Sequence, residues 1–362
     1  MYNDFTLQLK FGDNMMKKLL LYTFFLGMCL ISLQSINAAT ITVHPGGSIQ
    51  SAVNQAANGD TVIVYAKNKH PYTYKESVVI NKKVKIISSG KVTIQSRNKG
   101  SSVFIVNQGG AGSSIKNFIL SKSNYAILVR NAGNTFISGN KISASLVGVQ
   151  YTGNIQYSNL IKNKITGTNK NYGNGISFQY DGSSPYLTSY NYAYANIISN
   201  FLNGILFNAK SQHNIVSSNK VYCSGHRGTG IWATDDSSYM KIVANTVSGA
   251  EDAIAVQQIG SGTANNYLIS GNIAKLSNNG FWLHVSNSII SYNFATQNKV
   301  SGIDITGNQN QIICNKVTNN NVCGIAVGTQ RSTDTNSLSS NSLSGNGYGN
   351  FYITGPGKLL NN

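Results

Sequence analysis

The chain has 362 residues, with 28 Lys and Arg against 11 Asp and Glu, a formal net charge of +17 and four cysteines. So few cysteines in so long a chain exclude a disulfide-built scaffold. The basic surplus points to polyanionic partners such as acidic glycans, anionic walls or lipids, or nucleic acid, although charge selects partners only loosely.

In chain order, Lys17 and Lys18 precede an apolar run from Leu19 to Leu33, followed by the small residues of Ile36-Asn37-Ala38-Ala39. This is the pattern of a secretory signal peptide over residues 1–39, too short for a stable membrane span. The stretch before Met15 lacks signal character, so the expected start is Met15 or Met16. Met28 directly before Cys29 argues against lipoprotein cleavage. A secreted or cell-surface protein is therefore expected, and export speaks against a nucleic-acid partner.

Residues 40–66 read as an N-terminal cap and first strand. Apolar residues at Ile49, Ala52, Val53 and Ala56 have helical spacing, with Ser48 as N-cap. Such a helix covers the open end of a strand stack. Lysines and arginines then crowd the first coils (Lys67, Lys69, Lys75, Lys82, Lys83, Lys85, Lys91, Arg97, Lys99), a candidate basic patch.

From residue 115 the chain repeats at twenty-odd residues. Asn140, Asn163, Asn200, Asn219, Asn245, Asn272, Asn293, Asn315 and Asn341 each precede a short apolar step, as in "ISGNKI", "SSNKV" and "IICNKV". The wide gap between Asn163 and Asn200 reads as a coil carrying an insertion, placed at 180–194. Self-similarity at this period marks a solenoid, and stacked identical amides can bond to one another. A second strand per coil starts at a small residue: Gly148, Gly175, Gly204, Gly230, Ala253, Gly280, Gly302 and Gly324. The first and third residues after it are nearly all apolar, so they face inward and the second and fourth outward. The expected fold is all-β: a single-domain, single-stranded right-handed parallel β-helix over 40–362, with coils from 67 onward, about eleven or twelve in number. All four prolines fall outside the repeat strands, as a parallel ladder requires. Cys223, Cys314 and Cys323 remain in the mature chain; Cys314 and Cys323 either pair within one coil or lie as free thiols. No metal-ligand spacing is present, and neither metal nor cofactor is expected.

These repeats, with the opening "GSIQSAVNQAANGDTVIVY…YTYKESVVINKKVKIIS", resemble the pectin-lyase-like β-helix superfamily over the whole mature chain. The opening is similar to adhesin-like β-helix proteins of methanogenic archaea and to copper-associated periplasmic β-helix proteins. The resemblance implies the fold strongly and activity weakly, since such coils carry lyases, hydrolases, epimerases and inert adhesins. With a single mature methionine, Met240, and scattered histidines, copper binding is not expected.

The outward column at the second position reads Leu128, Gln150, Ser177, Leu206, Trp232, Ala255, Trp282, Asp304, Ala326. Both tryptophans of the protein fall in it, roughly 10 Å apart across one intervening coil. Aromatic faces of that kind bind sugar rings. Gln257 and His284 stand beside them, and Tyr180 opens the insertion whose tyrosines are candidate walls or flank packing. The candidate ligand site is therefore Trp232, Trp282, His284, Gln257, Asp304 and Tyr180, and the expected partner a polysaccharide or wall glycan, anionic by charge. Candidate catalytic residues are Asp235, Asp236, His226, Arg227 and His284. Asp235 and Asp236 are adjacent, so strict alternation points them apart. "GAEDAIAVQ", with Glu251 and Asp252, resembles the paired-Asp strand of polygalacturonase-type hydrolases, but its partner motifs are missing. The sequence thus favours a non-catalytic, adhesin-like glycan binder, with a polysaccharide lyase, hydrolase or epimerase as alternative and a structural wall rod as third reading.

Overall fold

The computed structural model describes residues 38–67, 70–98, 100–179, 188–257, 264–329 and 334–361. The expected signal segment up to Asn37, Lys69, Lys99, Tyr180 and the insertion as far as residue 187 lie outside them. From Ala39 onward the chain forms one unit, a right-handed parallel β-helix in which strands pair with their equivalents one coil away. A typical coil has three strands: Ile289–Ser291, Phe294–Thr296 and Ser301–Thr306. The first belongs to a 14-stranded parallel sheet, so the stack exceeds the eleven or twelve coils expected. The second and third pair up and down the stack in the same way.

Alternation decides the core. Behind each small residue the inward pair is fully buried, as in Ile176 and Phe178, Ile231 and Ala233, or Ile303 and Ile305. Tyr151, Phe178 and Phe207 stack with ring centroids 4.7 and 4.6 Å apart, near the strand spacing itself. The glycine slot is steric: a Cβ on Gly230 would stand 2.2 Å from Val247 Cγ1 and 2.5 Å from the Ala253 carbonyl.

The turns carry the buried polar groups. In one corner the Nδ2 of each asparagine donates to the Oδ1 of the next coil's asparagine at 3.0 Å, from Asn140 through Asn163, Asn196, Asn219, Asn245, Asn272, Asn293 and Asn315 to Asn341. The same Oδ1 also accepts the backbone N–H of the preceding asparagine. The second amide hydrogen reaches a backbone carbonyl of the neighbouring coil, for example Leu160 for Asn196. The expected ladder is corrected at one rung: Asn196, fully buried, takes the place assigned to Asn200. Asn200 is exposed with φ +59°, closing the turn after the strand Ile197–Ser199. Both asparagines precede apolar residues, and the insertion in this coil hid the spacing that separates them. Shorter runs of the same kind occupy the other corners, Asn191 to Asn214 and Asn298 through Asn320 to Asn346.

At the N-terminal end, the helix Ile49–Gln55 buries Ile49, Ala52 and Val53. Ser48 Oγ accepts the Ser51 N–H, and the Glu76 carboxylate accepts the Ile49 and Gln50 N–H groups at 3.0 Å each. Cys223, Cys314 and Cys323 are free thiols, so Cys314 and Cys323 do not pair.

Replacing Asn196 by alanine strips four bonds and strands buried backbone groups, and should cost about 3–5 kcal/mol in chemical denaturation. Asn200→Gly, matched to its left-handed backbone, should change stability by less than about 0.5 kcal/mol. Equal effects from the two variants would refute the corrected rung.

Candidate active site on the outward face

The strands that start at the small residues present two outward columns, and register fixes what stands beside what. Trp232 pairs with Ala255, Ala255 with Trp282, Trp282 with Asp304, and Asp304 with Ala326. The expected column is therefore continuous, with the tryptophans two coils apart. It runs one step further, to Tyr352 beside Ala326, so a third aromatic side chain stands two coils beyond Asp304. Counting from Asn350 as the small-residue position already places Tyr352 there.

The second column lies three residues earlier on the same strands: Asn174, Asn203, Thr229, Asp252, Asn279, Ser301 and Cys323. Asn279 Nδ2 donates to Asp252 Oδ1 at 2.8 Å, and Asp252 is only 6% exposed. Its polar run within an otherwise apolar repeat is the signal that would have found it from sequence.

Electrostatics concentrate where the columns meet. The rings of Trp282 and His284 meet edge to face at 5.1 Å. Burial lowers the His284 pKa below the usual 6.5, partly offset by the charge of Asp304. Burial raises the Asp304 carboxyl above 3.8, with His284 pulling it back. Asp252 is also raised, first by burial; the Asn279 bond opposes this, and the charges of Glu251 and Asp304 add to it. A cavity of about 420 Å³ opens beside Asp304, bounded by Ser301, Cys323, Ala326, Phe351 and Tyr352. The arrangement is an imidazole shifted toward its neutral form on the strand next to a carboxyl shifted toward its protonated form, with a second such carboxyl lower in the stack, beside the Trp282 ring. It suits proton transfer to and from a sugar.

The other sequence candidates do not join this cluster. His226 and Arg227 precede the strand Thr229–Thr234 and Asp235 and Asp236 follow it, so roughly 20 Å of strand separates the two pairs. Asp235 and Asp236 both adopt positive φ, which breaks the alternation. Trp232 Nε1 and His226 Nδ1 are buried without a partner. Gln257 ends its strand in the outward fourth position, one coil from Thr234. Tyr190 and Tyr239 are not groove walls: they sit at another corner, where Tyr157, Tyr190, His213 and Tyr239 form a face-to-face stack at 5.2, 4.9 and 4.9 Å. Their faces are spent on one another. Among the described residues no group of three His, Cys, Asp or Glu is placed to hold a metal.

No protein-family model matches the chain, and no curated protein sequence matches it. Solved structures do resemble it. The A-module of the mannuronan C-5 epimerase AlgE4 of Azotobacter vinelandii matches with a TM-score of 0.62 and 14% identity, over 89% of this chain and 100% of that one. The DFA-IIIase of Arthrobacter chlorophenolicus A6, without its lid, gives 0.56 and 14%, over 89% and 93%. The catalytic domain of a GH87 α-1,3-glucanase, in complex with nigerose, gives 0.51 and 12%, over 90% and 69%. At these identities the likeness establishes the pectin-lyase-like fold. It also corrects the lean toward a non-catalytic chain: the three β-helices above carry enzyme names, while tailspike protein 3 of bacteriophage CBA120 matches as well, with a TM-score of 0.59 and 12% identity over 86% of this chain and 57% of that one. That expectation rested on the missing partner motifs of one hydrolase family, and on alternation pointing the adjacent Asp235 and Asp236 apart.

Because the fold disfavours the ionised Asp252, its cost is absent below the ordinary carboxyl pKa of 3.8 and grows as pH rises through the higher folded value. Asp252→Asn keeps an acceptor for Asn279 and should raise the melting temperature at about pH 8, with the gain vanishing in acid below 3.8. A lower melting temperature at alkaline pH would mean the carboxylate is held by a favourable charge instead.

Proposed function

We propose that the chain is a polysaccharide-active enzyme whose glycan lies along the helix axis over Trp232, Trp282 and Tyr352, and reacts beside His284 and Asp304. One observation carries this reading: His284 and Asp304, whose charges act on each other, stand on neighbouring strands beside the half-buried ring of Trp282. Cleaving a glycosidic bond needs a proton delivered to the leaving oxygen. It also needs a base, which takes a proton from water in hydrolysis or from a ring carbon in elimination. Asp304 in its protonated form is the donor, and neutral His284 the base. Asp252 and Asn279, joined by their hydrogen bond, line the approach from the second column. The aromatic spacing matches a chain laid across successive coils, whose rings bury apolar C–H surface while keeping their hydroxyls wet.

Lys17 to Ala39 supports export of this enzyme to the polymer it acts on. No helix among the described residues is long and apolar enough to cross a membrane.

Incubating the purified chain with acidic and neutral polysaccharides, and following reducing ends together with ultraviolet absorbance of unsaturated products, tests the reading and separates hydrolysis from elimination. His284→Ala and Asp304→Asn should each lower kcat by about 10²–10⁴-fold. Trp232→Ala/Trp282→Ala should act mainly on KM, raising it about tenfold. The acid limb of kcat/KM should lie below 6.5, following the depressed imidazole. Retention by a polymer without turnover, unchanged when His284 is replaced, would sink the catalytic reading.

A further inference from the structure

We propose that the first coils hold a second glycan site, a cationic cleft that takes the carboxylate or sulfate groups of an acidic polysaccharide at a distance from the reacting groups. A cavity of about 550 Å³ opens there, and its charged members are Lys75, Arg97 and Lys122. Among the described residues, no acidic side chain lines it. Glu76 follows Lys75 directly in sequence, yet its carboxylate is turned away and held by the Ile49 and Gln50 N–H groups at the capping helix. Lys75, Arg97 and Lys122 are all exposed, and none has an ion-pair partner among the described residues.

Between the cations the lining is rich in hydroxyls and amides, including Gln95, Ser123, Asn124 and Ser145. Ser145 Oγ donates to Asn124 Oδ1 at 2.7 Å, which fixes that side chain. Ser123 is 4% exposed, and its hydroxyl has no partner at all. The cations supply the charge, and the hydroxyls and amides between them the hydrogen bonds, that a bound oxyanion takes.

Register gives the cleft its shape. Lys75 pairs with Gln95, Gln95 with Ser121, Ser123 with Ala144, and Ala144 with Gly167 beside Thr168. The lining thus climbs five successive coils, about 19 Å along the axis. A lone phosphate would use a fraction of that; a run of acidic sugars uses all of it. Lys122 lies on the strand whose Leu128 begins the outward column, and Asp252 stands five coils further up, about 24 Å away. A polymer long enough to touch both would be anchored through its charge while a distant segment reacts. The proposal rests on the reading of the groove for the polymer's identity, but not for the cleft's binding of anions.

The test is titration of the purified chain with an oligouronate, a sulfated oligosaccharide and a neutral oligosaccharide of equal length. The variants are Lys75→Ala/Arg97→Ala/Lys122→Ala and a charge-matched control, Lys162→Ala/Lys220→Ala/Lys241→Ala, both with exposed positions. We expect at least tenfold weaker binding of one or both acidic ligands in the cleft variant, less than twofold change in the control, and an affinity that falls with salt. Equal losses in the two variants, no loss in either, or equally tight binding of the neutral ligand would overturn the cleft. The groove is judged separately: absence of turnover on every polymer, with acidic binding still lost in the cleft variant, removes the catalytic reading and leaves the cleft standing.

Discussion

Everything in this molecule depends on closing a turn of parallel strands without leaving buried backbone groups unpaired. Strand ladders satisfy the flat parts of each coil, but every corner turns N–H and C=O groups away from the sheet and into a dry interior. The asparagine ladder is the solution. One amide supplies two donors and a doubly accepting oxygen, and each of the four contacts reaches a neighbouring coil. Because the contacts run between coils, the amides work only when stacked in register, and the register in turn holds every other column in line.

Columns are what make a site possible on such a fold. A residue's neighbours are set by equivalent positions one coil away more than by its own sequence neighbours, so chemistry assembles from residues over twenty positions apart. Trp282 meets Asp304 and Asp252 meets Asn279 in this way. The core beneath is uniform and fully packed, whereas the outward face is free to vary, and its departures from the repeat are where chemistry sits. Asp252 is the one carboxyl in a column whose other described members are uncharged, and its raised pKa is a stability cost that a purely structural column would not carry.

Charge is distributed along the same axis. Lysines and arginines gather on the first coils, while the buried Asp252 and half-buried Asp304, with raised pKa, stand several coils later. Placing cations near Asp304 would pull its carboxyl back toward the ionised form and remove the proton donor. Separating attraction from proton chemistry along a rigid rod keeps both.

Much of this was legible in the residues. Period-two alternation behind the glycines determined which side chains face inward, and with it the fold, the continuous outward column and the two tryptophans two coils apart. Local pattern failed where two readings fit equally well. Asn196 and Asn200 both precede apolar residues, and only burial shows which one points into the stack. Asp235 and Asp236, with His226, looked like a constellation because they are close in sequence, but an extended strand carries such neighbours to opposite ends. Asp252, His284 and Asp304 are far apart in the chain and come within two coils of one another only through register. Their raised and depressed pKa values arise from burial and from one another's charge, which are properties of the assembled surface. Periodicity is a property of the chain and determines the fold; proximity across coils, and the desolvation that tunes a proton, exist only once the coils have stacked.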